Sequence, residues 1–166
     1  PTPYAVLERL ANSGRIRKGD TLLDYGCGKG RVDCYLSYQT RCHSIGVEYD
    51  PRIYETAAEN QKTAVSGGRT EFVLADAGEF PVPGAVNRAY FFNPFSVELL
   101  QKVIRRILDS WYEVSREIRL FFYYPSDEYL AYLMTVDELV FADEIDCREL
   151  FDGNDARERI VEFVLE

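Results

Sequence analysis

The feature that most constrains this chain is a glycine cluster placed where an apolar strand gives way to a helix. Thr21-Leu22-Leu23-Asp24-Tyr25 reads as a short strand, and it runs directly into Gly26-Cys27-Gly28-Lys29-Gly30. Glycines at such a junction let the backbone approach a ligand closely, and the first N–H groups of the following helix face it. Open α/β sheets bind ligands there, at the carboxyl ends of their strands and beside strand one.

The rest of the chain alternates accordingly. A first helix is expected from Pro3 to about Asn12, with Tyr4, Val6, Leu7 and Leu10 as its apolar stripe and Ser13-Gly14 as its stop. After the glycines, a helix runs from about Arg31 to Ser37, and Ser44 to Tyr49 forms strand two. Asp50 and Pro51 suit the N-cap and first position of a helix running toward Ala64, with Gly67-Gly68 as its stop. Glu71 to Ala75 and Ala89 to Phe92 read as strands three and four. Leu100, Ile104, Ile107, Leu108 and Trp111 share one face of a helix from about Val97 to Trp111. Strand five spans Ile118 to Tyr124, and Ser126 caps a short helix from Asp127 to Met134. Two β-rich runs, Leu139 to Cys147 and Arg159 to Leu165, close the chain. The prediction is a doubly wound, mostly parallel seven-stranded sheet with a C-terminal antiparallel hairpin. At 166 residues it makes about one domain, with residues 1–20 as a helical extension and 21–166 as the core.

Charge and cysteine usage narrow the chemistry. The net charge of −9 is unevenly spread. Residues 1–125 hold 16 Lys/Arg against 15 Asp/Glu, while residues 126–166 hold 3 against 13. Strong non-specific binding to nucleic acid is therefore not expected of the whole chain, although a local basic patch remains open. Cys27, Cys34, Cys42 and Cys147 form no C-x-x-C pair, and His43 is the single histidine, so no metal site is expected. His43 alone is a poor basis for nucleophilic catalysis, and a structural role is expected for it. Free cysteines suit a reducing, cytoplasmic setting. No apolar run reaches membrane-spanning length.

Glycine spacing separates two classes of nucleoside ligand. A dinucleotide fingerprint, G-x-G-x-x-G, would put its third glycine where Arg31 stands. Arg31 is large and cationic at a position that wants a small residue, and no G-K-[ST] completes a phosphate loop. Glu48, 22 residues after Gly26, ends strand two, where a carboxylate can accept hydrogen bonds from ribose hydroxyls.

Asp24-Tyr25-Gly26-Cys27-Gly28-Lys29-Gly30 resembles motif I of class I S-adenosylmethionine-dependent methyltransferases. The likeness extends to Glu48, to Asp76-Ala77 after strand three, to Phe92-Asn93-Pro94-Phe95 after strand four, and to the terminal hairpin. It is closest to a poorly characterised bacterial group with an F-N-P-F motif. The resemblance implies S-adenosyl-L-methionine as cofactor. Gly26, Cys27, Gly28 and Gly30 would line its methionine and ribose portions, and Asp24 would orient the amino group. Glu48 would hold the ribose diol, with Tyr49 against the adenine face. Asp76 would accept from the adenine amino group, and the Ala77 N–H would meet a ring nitrogen. Asn93-Pro94-Phe95 is similar to the N-P-P-[FY] loop of enzymes that methylate nitrogen, in which the asparagine and a backbone carbonyl accept from the target nitrogen. The second proline is missing here, so the role of Phe95 is open. On this reading Asn93, Pro94, Phe95 and Tyr124 form the catalytic end, and Asn93 also borders the cofactor.

The methyl acceptor stays open among three classes. A protein side chain or small amine suits the acidic last third. A nucleic-acid base suits the N-P-P-[FY] likeness, with Arg15, Arg17, Lys18, Lys29 and Arg31, or Lys102, Arg105 and Arg106, as local cations. A non-catalytic binding module is the third. Phe91, Phe92, Phe121 and Phe122 are expected to pack the sheet, whereas Phe95, Tyr124 and Tyr4 could border ligand.

Overall fold

Alternating apolar runs and helices produce the expected sheet, described by a computed structural model for all residues, 1–166. Seven strands, β1 (Thr21–Tyr25), β2 (His43–Glu48), β3 (Thr70–Leu74), β4 (Arg88–Phe91), β5 (Ile118–Tyr123), β6 (Val140–Asp146) and β7 (Arg159–Leu165), lie in the order β3-β2-β1-β4-β5-β7-β6. The first five are parallel, and β7 inserts antiparallel between β5 and the edge strand β6. Chain order reverses between β1 and β4, which places the ligand-binding crevice at their carboxyl ends.

Helices cover both faces. On one, α1 (Tyr4–Asn12) and α2 (Arg31–Thr40) bury Val6, Leu7, Leu10, Val32 and Leu36 with Tyr90, Phe121 and Tyr123. α3 (Pro51–Thr63) packs beside β2 and β3. On the other, α4 (Val97–Glu113) buries Leu100, Val103, Ile104 and Ile107 against β4 and β5, and α5 (Asp127–Leu133) joins it. Each of those four α4 side chains contributes roughly 1.5–3 kcal/mol by leaving water.

Strand alternation decides what faces each layer. Register pairs Asp24 with Tyr90, and Tyr90 with Phe121, so these side chains point toward α1 and α2. The next residues, Tyr25, Phe91 and Phe122, face α4 as a ladder of stacked rings, with centroids 5.0 and 4.4 Å apart.

One helix end differs from expectation, and another helix ends where expected but with a different stop. α2 continues to Thr40, because the chain turns only where Arg41 takes a left-handed conformation (φ 61°). α3 ends at Thr63 because Ala64 is already extended, and Gly67–Arg69 then forms a short 3₁₀ turn. His43 opens β2 and is exposed at the amino end of the sheet, away from the crevice.

Candidate active site

The glycine loop is fixed before any ligand is considered. Gly26 and Cys27 donate their N–H groups to the Val47 carbonyl of β2 at 3.0 and 3.1 Å. Gly26 has φ +68°, and a Cβ there would stand 2.8 Å from Pro94 Cβ. Only glycine lets the first turn of the loop touch the segment that leaves β4. Gly30 has φ +88°, and a Cβ there would fall 2.6 Å from Phe72 Cζ, so it seats the loop on β3. Cys27 turns inward: its side chain fills the space above Gly46, and burial pushes its thiol up. It contributes backbone and packing rather than a reactive thiolate.

Glu48 forms the second wall. Its Oε1 accepts from the Gly28 N–H at 2.9 Å, and its Oε2 accepts from Tyr49 and Asp50 N–H at 3.1 and 3.0 Å. A carboxylate has about four acceptor sites, so one remains on Oε1. Beyond Glu48, the Asp76 Oδ1 accepts from Gly78 N–H at 2.9 Å, which leaves Oδ2 uncommitted. The Ala77 N–H makes no hydrogen bond within the chain. A cavity of about 390 Å³ joins these groups, bounded by Gly26, Glu48, Tyr49, Asp76, Ala77, Pro94 and Phe95. Tyr49 is 75 % exposed at its rim.

Asp24 lies beneath the loop on the α2 side, 2 % exposed, and its Oδ2 has no donor among the surrounding N–H and O–H groups. Its neighbour is Asp33 from the first turn of α2, fully buried and likewise without a donor. Two buried carboxyls satisfy each other when one keeps its proton. Burial pushes both up, Asp24 to about 6; the proton Asp33 donates to Asp24 pulls the latter down in part, and the Glu48 charge raises it. Asp33 was not apparent as a site residue from the sequence. The available signal was an acid three residues after Gly30, on the face of α2 that buries Val32 and Leu36.

The segment after β4 is held from two sides. Asn93 adopts φ 39°, a left-handed conformation that asparagine tolerates better than most residues. Its Nδ2 donates to the Tyr124 carbonyl at 2.5 Å, and its Oδ1 accepts from Ser126 N–H at 3.3 Å. Tyr124 also has positive φ (50°), so the ends of β4 and β5 are both strained and tied together. On the other side, the Tyr129 hydroxyl donates to the Phe95 carbonyl and accepts from Phe95 N–H. The Phe95 ring stands edge-on to Tyr25 and Phe91 at 6.3 and 6.4 Å, capping the aromatic ladder.

Not every candidate meets at the cavity. The Tyr124 hydroxyl bonds Asp155, and Arg157 lies 4.6 Å from its ring, so the ring belongs to the loop before β7. Tyr4 packs on Tyr35 beneath Arg31, outside the cavity. No group of three or more His, Cys, Asp or Glu could hold a metal ion.

A glycine loop, a carboxylate ending β2 and a polar pair after β3 define a nucleoside-binding α/β domain. Comparison with known proteins makes the class specific. A family model described as Methyltransferase domain matches residues 22–117, more than half the chain, and the chain belongs to that family. Its fold is that of class I S-adenosylmethionine-dependent methyltransferases. The 27-O-demethylrifamycin SV methyltransferase of Amycolatopsis mediterranei (strain S699) is 27 % identical over 115 residues, which are 69 % of this chain and 39 % of that protein. A protein-lysine N-methyltransferase of Saccharolobus islandicus (strain REY15A) is 28 % identical over 110 residues, 65 % of this chain and 68 % of that one. The chain thus matches about two fifths of the first relative's length and two thirds of the second's. Among solved structures, an RNA methyltransferase from Salinibacter ruber in complex with S-adenosyl-L-homocysteine superposes with a TM-score of 0.65 at 19 % identity, covering 99 % of this chain and 92 % of that one. A TehB-like methyltransferase from Corynebacterium glutamicum gives 0.69 at 16 %, covering 96 % and 87 %. At these identities the structural likeness speaks for the fold.

The residues present fit S-adenosylmethionine. The spare acceptor of Glu48 suits a ribose hydroxyl, and Asp76 Oδ2 with the Ala77 N–H suits the amino group and ring nitrogen of adenine. Gly28 has open space where a Cβ would point, so the loop leaves room for the ligand. Asp24 and Asp33 are buried beneath the loop and line no part of the cavity, so they support the loop from below rather than facing the ligand space.

Proposed function

We propose that this chain transfers the methyl group of S-adenosylmethionine to a nitrogen held beside Asn93 and Pro94. The observation that carries this reading is the contact between Gly26 and Pro94, which joins the cofactor loop to the segment after β4 in one cavity. When bound, the cofactor supplies an electrophilic methyl group whose leaving thioether departs neutral, so the protein has to align rather than to activate. Alignment within reach of attack is worth several orders of magnitude in rate. Asn93 is held at both ends of its amide, and the second lone pair of Oδ1 is left to accept from an acceptor N–H. Tyr129 and the Phe95 ring keep Pro94 from moving away.

The acceptor class favoured here is a protein side chain or small amine. Charged groups next to the Asn93 end are mainly carboxylates: Asp155 on Tyr124, Glu158 on Tyr123, and the exposed Asp127 and Glu128 that open α5. Five other acids of the last third, Asp143, Glu144, Asp146, Glu149 and Glu162, are neutralised by arginines. The four carboxylates near Asn93 make no such ion pair and favour a cation there, with Arg157 on the Tyr124 ring as a counter-charge beside them. Incubation with methyl-labelled S-adenosylmethionine, followed by separation of protein, nucleic acid and metabolites, tests the reading. Label on nitrogen in protein or small amines is expected. Label confined to nucleic acid would replace the acceptor. Tight binding of S-adenosylhomocysteine with no label anywhere would leave a binding module instead of an enzyme.

A further inference from the structure

Eight of the chain's 19 Lys and Arg residues are in ion pairs. The unpaired ones are not scattered evenly. Lys29 and Arg31 border a hollow of about 600 Å³ between α2 and α3, and Lys18, Arg41 and Arg69 border a second of about 620 Å³. The two hollows share Tyr38 and Val65, so they form one groove, and no Asp or Glu lines either. In a chain of net charge −9, five cations free of ion pairs, of which Arg31 and Arg69 also donate to the Thr2 and Ser37 carbonyls, form a distinct electrostatic surface with no carboxylate lining it. The other basic hollow, on α4, is different. Lys102, Arg105 and Arg106 share it with Glu79 and Glu98, and Arg106 is already paired with Glu79 at 3.2 Å.

The groove also carries aromatic faces. Tyr4 and Tyr38 are 54 % and 55 % exposed, and Tyr35 lies against Tyr4 with ring centroids 5.5 Å apart. Arg31 stands 4.5 Å over the Tyr4 ring. Phosphate alone would make no use of these rings, whereas a strand of unpaired nucleotides uses both charge and stacking. Arg31 and Arg41 mark the two ends of α2, about 15 Å apart at 1.5 Å per residue. At about 3.4 Å per stacked nucleotide, that length spans about four or five. We propose that the α2–α3 groove is a docking surface for single-stranded nucleic acid, held by its phosphates on the five cations and by its bases on the tyrosines. This holds whichever nitrogen is methylated, because the groove lies outside the cofactor cavity and shares no lining residue with it.

The test is fluorescence anisotropy with a labelled 12-nucleotide single strand, as RNA and as DNA, over a range of salt. The logarithm of affinity should fall against the logarithm of salt with a slope of about −3.5 for five contacts. The double variant Lys18→Glu/Arg41→Asn should weaken binding at least tenfold at low salt and flatten the slope. Asparagine is chosen at 41 because it accepts the left-handed backbone there. Tyr38→Ala should weaken binding about fivefold or more while leaving the slope unchanged. Lys102→Glu/Arg105→Glu should change affinity much less than the α2 double variant. Thermal unfolding and the S-adenosylhomocysteine shift of each variant establish that it is folded. Absence of binding at low salt would overturn the proposal, as would equal affinity for polyglutamate. A loss caused by the α4 variant and not by the α2 variant would also overturn it.

Discussion

At the cofactor wall of the cleft, Glu48 is held by backbone N–H groups, from Gly28 on the loop and from Tyr49 and Asp50 beside it. At the acceptor wall, Asn93 is held by residues 31 and 33 positions further along the chain. The first wall is made largely of backbone, preset by glycines and a strand end. The second is made of side chains that reach across β4, β5 and α5, and it stores strain at Asn93 and Tyr124. Backbone donors suit a ligand whose polar groups are always the same. A strained clamp of side chains can change with the acceptor while the sheet beneath stays fixed.

The largest effect is expected where the two walls touch. Gly26→Ala puts a Cβ 2.8 Å from Pro94 and a side chain in left-handed backbone, which costs about 1–2 kcal/mol before the clash is counted. Displacing either wall by about 1 Å should lower turnover by about 100-fold. Cofactor affinity should fall with it, read as loss of the thermal shift given by S-adenosylhomocysteine. A variant that kept both would mean that the walls are independent.

Asp33→Asn examines the ground under the cofactor wall. The folded Asp24 and Asp33 carboxyls both titrate above their ordinary range, so the folded state holds extra protons. The Asp24 contribution to stability is full below about pH 4 and is lost as pH rises through about 6, and that of Asp33 is lost in the same direction. A shift of that size corresponds to about 3 kcal/mol. Asparagine donates to Asp24 without a titrating proton, so wild type should lose stability relative to the variant between pH 4.5 and 7. Parallel stability profiles for the two proteins would refute the shared proton.

Asn93→Ala should separate the walls. Turnover is expected to fall about 100-fold, or about 2.7 kcal/mol, while S-adenosylhomocysteine affinity changes less than about threefold. Unchanged turnover would remove Asn93 from the site. Glu48→Ala should do the reverse at smaller size, weakening cofactor affinity about tenfold, or about 1.4 kcal/mol, measured by calorimetry. If saturating cofactor does not restore most of its turnover, Glu48 acts on more than binding.

Much of this was legible from the residues. The strand and helix order followed from apolar periodicity, and Gly26, Glu48 and Asp76, singled out by their places at strand ends, do line one cavity. Helix ends were less legible. α2 outruns Ser37 because its stop is a left-handed arginine, a conformation that no residue type announces. Tyr124 stood at the right strand end, but its ring goes to Asp155 and Arg157, a contact between residues 31 positions apart. The Asp24–Asp33 pair was hidden for a related reason. Helical periodicity puts Asp33 on the buried face with Val32 and Leu36, but only the packing of α2 on β1 brings its carboxyl to that of Asp24.

Local sequence alone was enough for the strand–glycine–helix junction, the parallel alternation and the carboxylate at the end of β2. Each depends on local backbone preference and on the period of apolar residues, which neighbouring positions fix. Folding in three dimensions was needed to rest Pro94 on Gly26, to make Asn93 clamp β4 to β5, and to gather five cations free of ion pairs in one groove. Those outcomes depend on strand register and helix packing, which bring distant residues within ångströms and leave no mark on their spacing along the chain.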